Sequence, residues 1–300
     1  MLFQSLEYLL LLIASLLVVA TVRNTTVKKL AILAASMLFY AYGGKWQTLL
    51  FVAVITLAFL LGRLLEKKRS KPLFIVGMCA MFIPLLFYKY TPFVLQGMLG
   101  IDATAFTNTF FLPIGISFYT FQAAGYVIDV FRGKISAEKN YLTFACFVSF
   151  FPQLVAGPIE RGENLLHQIE TFKKPTQNDL STGFRHILLG LSLKLLVAET
   201  MAAFVNPVYN NLATQGGLAV LIATVCFGIQ IYCDFNGYSQ IAIGSAKVMG
   251  IDLMQNFNHP YKAHSIATFW KRWHIFHECN HPFPDFRFCL IPVQKRDKPL

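Results

Sequence analysis

The sequence predicts an all-α, polytopic membrane protein with about seven or eight transmembrane helices, together with re-entrant and interfacial segments. Three observations support this fold class. Of the 300 residues, 55% are hydrophobic and only 14% are charged, and the mean hydropathy is +0.53. Soluble domains carry roughly 25% charged residues, so this chain lacks the polar side chains that would cover a water-exposed surface. The apolar residues also form long runs separated by short basic clusters.

The net charge of +11 does not indicate a nucleic-acid-binding protein. Lys and Arg lie in short clusters between apolar runs, and such clusters set the orientation of membrane proteins. Nucleic-acid binding would instead need a basic face or stripe. The charge pattern therefore predicts membrane lipid as a partner and excludes nucleic acid.

The predicted helices follow from eight apolar runs. These runs are Leu6–Val22, Leu30–Tyr42, Leu49–Leu65, Leu73–Tyr88, Phe110–Phe131, Tyr141–Ala156, Phe184–Val205 and Leu218–Phe235. Several are shorter than the roughly 20 residues of a straight crossing, so their ends are approximate. The first run has no Lys or Arg before it and no small-residue cleavage site after it, which predicts a transmembrane helix and not a signal peptide.

The basic clusters predict how these helices are oriented. Clusters follow the first and third runs, whereas the loops Thr91–Thr109 and Asn206–Gly217 contain no Lys or Arg. If the N-terminus is periplasmic and loops alternate, every cluster falls in the cytoplasm. The basic residues on both sides of Tyr141–Ala156 then share one side, so that run is predicted to be re-entrant or deeply buried. Such backbone needs protein or a water-filled cavity around it, which predicts a cavity near Pro152–Pro158.

Two polar features lie beside the predicted spans. The stretch Glu163–Phe172 is predicted to be amphipathic and to lie flat on the cytoplasmic interface, with a solvated loop as the alternative. Lys194 lies inside a predicted span, and ionisable residues there are functional candidates. The alternative for Lys194 is a snorkelling side chain that anchors the helix at its cytoplasmic end.

A short helix is predicted after Ser265, which is a suitable N-cap. Its apolar residues recur at helical spacing and would form one face: Ile266, Phe269, Trp270, Trp273 and His274. One interpretation of His274 is a packed, hydrogen-bonded core histidine. The other is a histidine that points into a buried site, where acyl or proton chemistry could use it.

Four segments carry a family resemblance. They are FLPIGISFYTFQAAGYVIDVFRG (Phe111–Gly133), FFPQLVAGPIERGENLLHQI (Phe150–Ile169), IYCDFNGYSQIAIGSAKVMGIDLMQNFNHPY (Ile231–Tyr261) and FWKRWHI (Phe269–Ile275). In their length, order and content these segments resemble the membrane-bound O-acyltransferase family, and within it the bacterial branch that resembles alginate O-acetyltransferases.

The resemblance implies an enzyme of the bacterial inner membrane whose helices surround a buried tunnel. Such an enzyme would transfer an acyl group, typically acetyl, from a cytoplasmic donor to hydroxyls of an extracytoplasmic polysaccharide such as alginate. The implied partners are the acyl donor, the polysaccharide acceptor and other polysaccharide-modification proteins, without a tightly bound cofactor or a metal. The resemblance implies two histidines: the first corresponds to His274, and the second, usually taken as the catalytic one, lies further along the family pattern than this sequence follows it.

The implied chemistry needs a base, because a sugar hydroxyl is a poor nucleophile until its proton is withdrawn. Burial of His274 among Phe269, Trp270 and Trp273 would favour the neutral imidazole that accepts this proton. The candidate site therefore consists of His274 as the catalytic base, with Trp270 and Trp273 lining its cavity.

Four polar residues complete the candidate site. Asn236, Tyr238 and Asn258 could donate hydrogen bonds to the developing oxyanion. Asp234 could orient a histidine or a polar substrate, and its alternative role is a helix-end or structural hydrogen bond. We expect Asp234 and His274 to point into one interior cavity.

Past Ile275 the sequence departs from the family pattern. Residues 276–300 contain four prolines and no amphipathic period, so we expect an incomplete acyltransferase core over residues 1–275 and an aberrant, disordered tail over residues 276–300. We interpret the break as a truncation or a frameshift, which would leave the chain inactive. His167 and His186 fall in predicted cytoplasmic loops and are not expected to replace a second histidine. The tail residues His277, Cys279, His281 and Cys289 lack the spacing of a standard zinc site.

Two alternative functions stay open. One is transfer of D-alanine or another acyl group to a cell-wall polymer. The other belongs to a different class, a non-enzymatic transporter or flippase subunit, and it predicts that His274 can be replaced without loss of function in an intact homologue.

Overall fold

The structure, a computed structural model, describes residues 3, 5–154 and 157–275. In this part of the chain the backbone is helical apart from connections and one isolated bridge between Phe257 and Trp273. The predicted all-α class is therefore confirmed. The chain divides into two compact units, Met1–Met254 and Gln255–Leu300, and each is described by itself. The expected boundary at residues 275 and 276 stays a prediction.

The α-helices of the described residues are α1 (Leu6–Thr21), α2 (Thr25–Gly44), α3 (Gln47–Lys67), α4 (Lys71–Phe93), α5 (Thr104–Thr109), α6 (Ile116–Phe131), α7 (Tyr141–Ser149), α8 (Gly162–Thr171), α9 (Gln177–Leu191), α10 (Glu199–Asn210), α11 (Gly217–Val248) and α12 (Ile266–Arg272). Wider π-helical turns follow α4 at Val94–Met98 and join α9 to α10 at Ser192–Ala198. Short 3₁₀ turns occur at Leu212–Thr214 and Pro260–Lys262.

Several helices begin at polar N-caps that satisfy free backbone N–H groups. The Asn24 carboxamide oxygen accepts from Thr26 N at 2.9 Å, and Asn140 accepts from Leu142 N at the same distance. Thr176 and Asp179 form a capping box at the start of α9. These caps lie between apolar runs, which explains why the runs predict the helices well.

Each of the eight predicted apolar runs coincides with or overlaps a helix. Among the described residues, four continuous helices are long and apolar enough to cross a membrane: Gln47–Lys67, Lys71–Met98, Gln177–Asn210 and Gly217–Val248. α1 is apolar but shorter. Many large apolar side chains are exposed on these helices, including Leu196 and Leu218. The protein is therefore a multi-pass membrane protein, while the number of seven or eight spans stays a prediction.

One helix extends beyond its predicted apolar run. The run Leu218–Phe235 ends among polar residues, whereas α11 continues without interruption to Val248. The polar side chains of this part, such as Asp234 and Asn236, form hydrogen bonds to other side chains and do not end the helix. Polar residues are tolerated inside a span when they have such partners.

The predicted deeply buried segment is a short helix followed by an irregular chain. α7 has nine residues, about 14 Å of helix, which is less than half of a hydrocarbon core of ~30 Å. Phe150, Phe151 and Leu154 then continue without regular structure and are buried. The Gln122 side chain donates to Phe147 O at 2.8 Å, and Ser36 accepts from Phe151 N at 3.2 Å. Protein thus surrounds this backbone, as its depth requires; the cavity near Pro152–Pro158 stays a prediction.

The predicted amphipathic stretch forms α8. Its apolar residues are Leu165, Leu166 and Ile169, followed by Phe172, and all four are buried. α8 packs against α7, α2 and α6. The interfacial interpretation therefore needs correction, because protein covers the apolar side of α8 and leaves it unavailable to lipid.

Candidate functional site

The candidate site begins with two antiparallel helices that approach closely through glycines. Gly190 of the long helix Gln177–Asn210 faces Gly237 of α11: a Cβ at Gly190 would lie 2.6 Å from Gly237 O, and a Cβ at Gly237 would lie 2.9 Å from Gly190 O. Gly183 and Gly244 form a second such contact. Small residues permit close helix packing in membranes. The register of the two helices is therefore set by these four glycines.

One turn further along, Lys194 and Asp234 meet across the same interface. The Lys194 Nζ lies 2.6 Å from Asp234 Oδ1 and 4.0 Å from the centroid of the Tyr238 ring. Lys194 is 8% exposed, whereas the Asp234 side chain is 44% exposed. The ammonium is thus held by a carboxylate and an aromatic face. Two predicted site residues, Asp234 and Tyr238, are brought together by this lysine.

The Lys194 ammonium has a protein partner in the Asp234 carboxylate, and the snorkelling interpretation stays a prediction. Lys194 also lies in the π-helical turn Ser192–Ala198, where the regular α-helical hydrogen bonds are interrupted. π-Helical turns occur frequently at functional sites. The position of Lys194 therefore favours the functional interpretation that the sequence left open.

A second set of polar side chains forms a ladder on α11. The Gln240 Nε2 donates to Asn236 Oδ1 at 3.2 Å, and the Asn236 Nδ2 donates to the Tyr232 hydroxyl at 3.3 Å. His186 Nδ1 lies 2.6 Å from Gln240 Oε1. With Gln240 Oε1 as the acceptor, Nδ1 of His186 carries the hydrogen. The placement of His186 in a cytoplasmic loop is therefore wrong, since it lies within α9 and bonds to α11.

The second unit contains the remaining predicted residues, and here the predicted helix is partly wrong. Ser265 does act as the N-cap, accepting from Thr268 N at 3.1 Å. The helix ends at Arg272, however, and Trp273 is extended. The five residues that were predicted to share one helical face therefore do not all lie on this helix. Trp270 lies on α12 and is 54% exposed.

Pairing with an earlier segment explains why α12 stops. Asn258 N donates to Arg272 O at 2.9 Å, and Ile275 N donates to Asn256 O at 2.9 Å. The Trp273 ring packs edge-on against Phe257 at 5.2 Å and stacks on Phe269 at 5.5 Å. These backbone and aromatic contacts replace another turn of helix. Asn258 thus contributes through its backbone, and Trp273 belongs to an aromatic cluster.

His274 follows this pairing in an unusual backbone conformation. Its φ of 50° lies in the left-handed region, which is uncommon for residues other than glycine. Such conformations cluster at active sites and ligand clamps. His274 is half-buried, and its conformation agrees with a functional role. Because Asp234 and His274 belong to different units, their common cavity stays a prediction.

Glu160 is a buried carboxyl that the sequence reasoning overlooked. It is 2% exposed, receives hydrogen bonds from Met254 N and from Asn164 Nδ2, the latter at 2.9 Å, and thereby joins the start of α8 to the chain after α11. Burial raises the pKa of Glu160 above its ordinary 4.5, although these hydrogen bonds act in the opposite direction. The available signal was an acidic residue inside the motif GPIER.

We expect Glu160 to make stability depend on pH. Because its folded-state pKa is raised, its contribution is full below the ordinary value of 4.5 and is lost as pH rises through the folded-state pKa. Glu160→Gln should therefore flatten the fall in melting temperature over that range. Thermal unfolding at several pH values measures this slope, with the exposed Glu163→Gln as the matched control. Equal slopes for wild type and Glu160→Gln would contradict the prediction.

The described residues contain no group of three His, Cys, Asp or Glu side chains that could hold a metal ion. The tail residues considered for zinc, His277, Cys279, His281 and Cys289, lie outside the described part.

Comparison with known proteins adds family information to this geometry. A family model described as MBOAT, the membrane-bound O-acyltransferase family, matches residues 133–277. A probable alginate O-acetylase of Pseudomonas aeruginosa is 34% identical over 83% of this chain and 49% of its own length. A peptidoglycan O-acetyltransferase of Helicobacter pylori is 30% identical over 85% of this chain and 54% of its own length.

A more distant relative is a teichoic acid D-alanyltransferase of Bacillus subtilis, 24% identical over 77% of this chain and 56% of its own length. The chain thus spans about half the length of these relatives. The matched family segment includes Lys194, Asp234 and His274.

Proposed function

This chain belongs to the membrane-bound O-acyltransferase family, and on that premise we propose that the protein transfers an acyl group, in the first place acetyl, to hydroxyls of an extracytoplasmic polysaccharide such as alginate. The observation that carries the proposal is the likeness to two kinds of O-acetylating relative over more than four-fifths of the chain. The names of both relatives describe O-acetylation, in one case of alginate and in the other of peptidoglycan.

The proposed chemistry starts from the hydroxyl of the acceptor. Its oxygen attacks the acyl carbonyl of the donor while His274 takes the hydroxyl proton. The tetrahedral intermediate then collapses, the bond to the donor group breaks, and the proton passes to the leaving group. The left-handed conformation of His274 and the aromatic cluster beside it support its assignment as the base.

The polar residues of α11 are proposed to take different roles in this reaction, either donating a hydrogen bond to the substrate or positioning other groups. One N–H of Asn236 is used by Tyr232, so one donor remains for a substrate oxygen. Asp234 and Tyr238 are linked through Lys194, and we propose that they act together as a positioning unit. Asn258, Trp270 and Trp273 are proposed as cavity-lining residues of the second unit. The acyl donor is proposed to bind from the cytoplasm, and no tightly bound cofactor is proposed.

The deciding experiment removes the gene in the source organism and compares restoration by wild type, His274→Ala and His264→Ala. Extracellular polymers are treated with mild alkali, and the released acids are identified by chromatography. Made in a gene whose reading frame continues the family pattern past Ile275, wild type and His264→Ala should restore the acetate that deletion removes, and His274→Ala should not. Release of D-alanine would favour the alternative acyl group. Unchanged acylation with altered polymer export would favour the transporter alternative, and unchanged acylation alone would contradict the proposal.

We also propose that the protein lies in the inner membrane with a periplasmic N-terminus. The basic clusters support this orientation. α1 lies beside α11 and runs in the same direction, since Phe3 packs against Tyr238 and the Tyr8 hydroxyl donates to Ser245 Oγ at 2.8 Å. The N-terminus is therefore proposed to lie on the same side as the beginning of α11.

Cysteine labelling tests this topology. In a protein lacking its natural cysteines, Thr214→Cys should react with a membrane-impermeant maleimide in intact cells, because residues 211–216 are predicted to be periplasmic. Lys173→Cys should react only after permeabilisation. Both positions are exposed, so accessibility in the folded protein does not limit either reaction. Labelling of Lys173→Cys from outside would contradict the orientation and the re-entrant interpretation of Tyr141–Ala156.

A further inference from the structure

Two neighbouring lysines near the start of α2 turn their ammonium groups into the protein. Lys28 and Lys29 are 6% and 8% exposed. The Lys28 Nζ donates to Phe172 O at 3.0 Å, and the Lys29 Nζ donates to Thr143 Oγ1 at 2.8 Å. Both acceptors are neutral. Snorkelling lysines bury their stems and extend their heads into water, whereas these two heads bond to covered groups of α7 and of the chain after α8.

The positive charge at this place is not balanced by the described part of the chain. The ion pairs there involve other lysines and arginines, and neither Lys28 nor Lys29 pairs with a carboxylate. Lys174 is close enough for its charge to act on Lys28, and the N-terminus of α2 adds partial positive charge. Covered charges without an opposite partner are costly, so the arrangement favours an anion.

We propose that Lys28, Lys29 and Lys174 form a binding site for a phosphate-bearing anion. The ammonium groups of Lys28 and Lys29 each have three N–H donors and use one for a neutral acceptor, which leaves donors for phosphate oxygens. Lysine serves widely as a point-charge partner of phosphate. A terminal phosphate group carries more negative charge than a single carboxylate, so it can balance the charge of several lysines better. The site lies beside the re-entrant segment, at the end of α2 that carries its basic residues.

Two sources share this chemistry, the headgroup of an anionic phospholipid and a soluble phosphate ester. The proposal concerns binding and does not depend on the acyl-transfer reaction, so failure of one leaves the other intact. Inorganic pyrophosphate is the soluble probe, added to protein in a neutral detergent at constant ionic strength. The lipid probe is phosphatidylglycerol, introduced into nanodiscs that otherwise contain phosphatidylcholine.

We expect at least one probe to raise the melting temperature of the wild-type protein by about 2 °C or more. The rise should fall by at least half in Lys174→Gln, whose exposed position avoids disturbing the core, and should vanish in the Lys28→Gln, Lys29→Gln double variant. Lys139→Gln, an exposed lysine outside the cluster, should retain the full rise. A response to pyrophosphate identifies a soluble phosphate ester, and a response to phosphatidylglycerol alone identifies a lipid headgroup.

Absence of a rise with both probes would overturn the proposal. An undiminished rise in Lys174→Gln would also overturn it, even where the double variant fails to fold.

Discussion

Alanine at Gly190 is expected to destabilise the protein by about 1–3 kcal/mol, the usual range for overpacking of a close contact. The new Cβ would lie 2.6 Å from the carbonyl oxygen of Gly237 and 2.8 Å from Ile241 N. These are backbone atoms of α11, so the two helices would have to separate. Alanine at Gly237 should act in the same direction. Thermal unfolding of the purified protein in detergent measures both effects.

Gly125→Ala is the matched control for this prediction. Gly125 lies within α6, and a Cβ there would meet no atom within 4 Å. Because alanine favours helix over glycine by about 1 kcal/mol, this variant should be neutral or more stable than wild type. Equal melting temperatures for Gly190→Ala and Gly125→Ala would refute the close-contact explanation.

Removal of the Asp234 charge is the second change with a large expected effect. Asp234→Ala leaves the Lys194 ammonium, 8% exposed, without its carboxylate. Breaking a fully buried pair costs about 3–5 kcal/mol, and the exposure of Asp234 reduces the expectation here to about 1–3 kcal/mol. The double variant Lys194→Met, Asp234→Leu should recover much of the loss, because no unpaired charge remains.

The pair Lys247–Asp252 provides a control with the same 2.6 Å separation but an Asp252 side chain that is 70% exposed. Lys247 also contacts Asp179 at 2.9 Å. Asp252→Asn should therefore change stability by less than about 1 kcal/mol. If Asp234→Ala is no more harmful than Asp252→Asn, the interior location of the first pair has no energetic consequence. Melting temperatures of the three variants decide this.

The sequence predicted the helices of the first unit because apolar content and N-caps are local properties. The run Tyr141–Ala156 was also recognised as unusual, since the basic residues on both sides of it cannot lie in different compartments. The end of α11 was missed for a tertiary reason. Its polar residues resemble a membrane boundary until their partners on the preceding helix are known.

The candidate site was predictable in part. Lys194 and Asp234 were each selected as polar residues in or beside a predicted span, but their contact was not predicted. Their pairing depends on the helix register, which the contacts of Gly190 with Gly237 establish. His274 was selected through family resemblance, whereas its backbone conformation depends on pairing with Asn256 and Asn258, which helical periodicity does not report. The contacts of His186 with Gln240 and of Glu160 with Met254 were missed because these partners are distant in sequence.

The interior pair also has a consequence for biosynthesis. Lys194 lies near the middle of the 34-residue helix Gln177–Asn210, and Asp234 follows 40 residues later. At about 5–20 residues per second, translation needs about 2–8 s to deliver the second charge after the first. A lysine at the centre of a lone helix costs roughly 2.5–3.5 kcal/mol during membrane insertion. The nascent chain therefore has to hold the helix that carries Lys194 at the insertion machinery, or accept a shifted position of that helix, until the following helix arrives with the carboxylate.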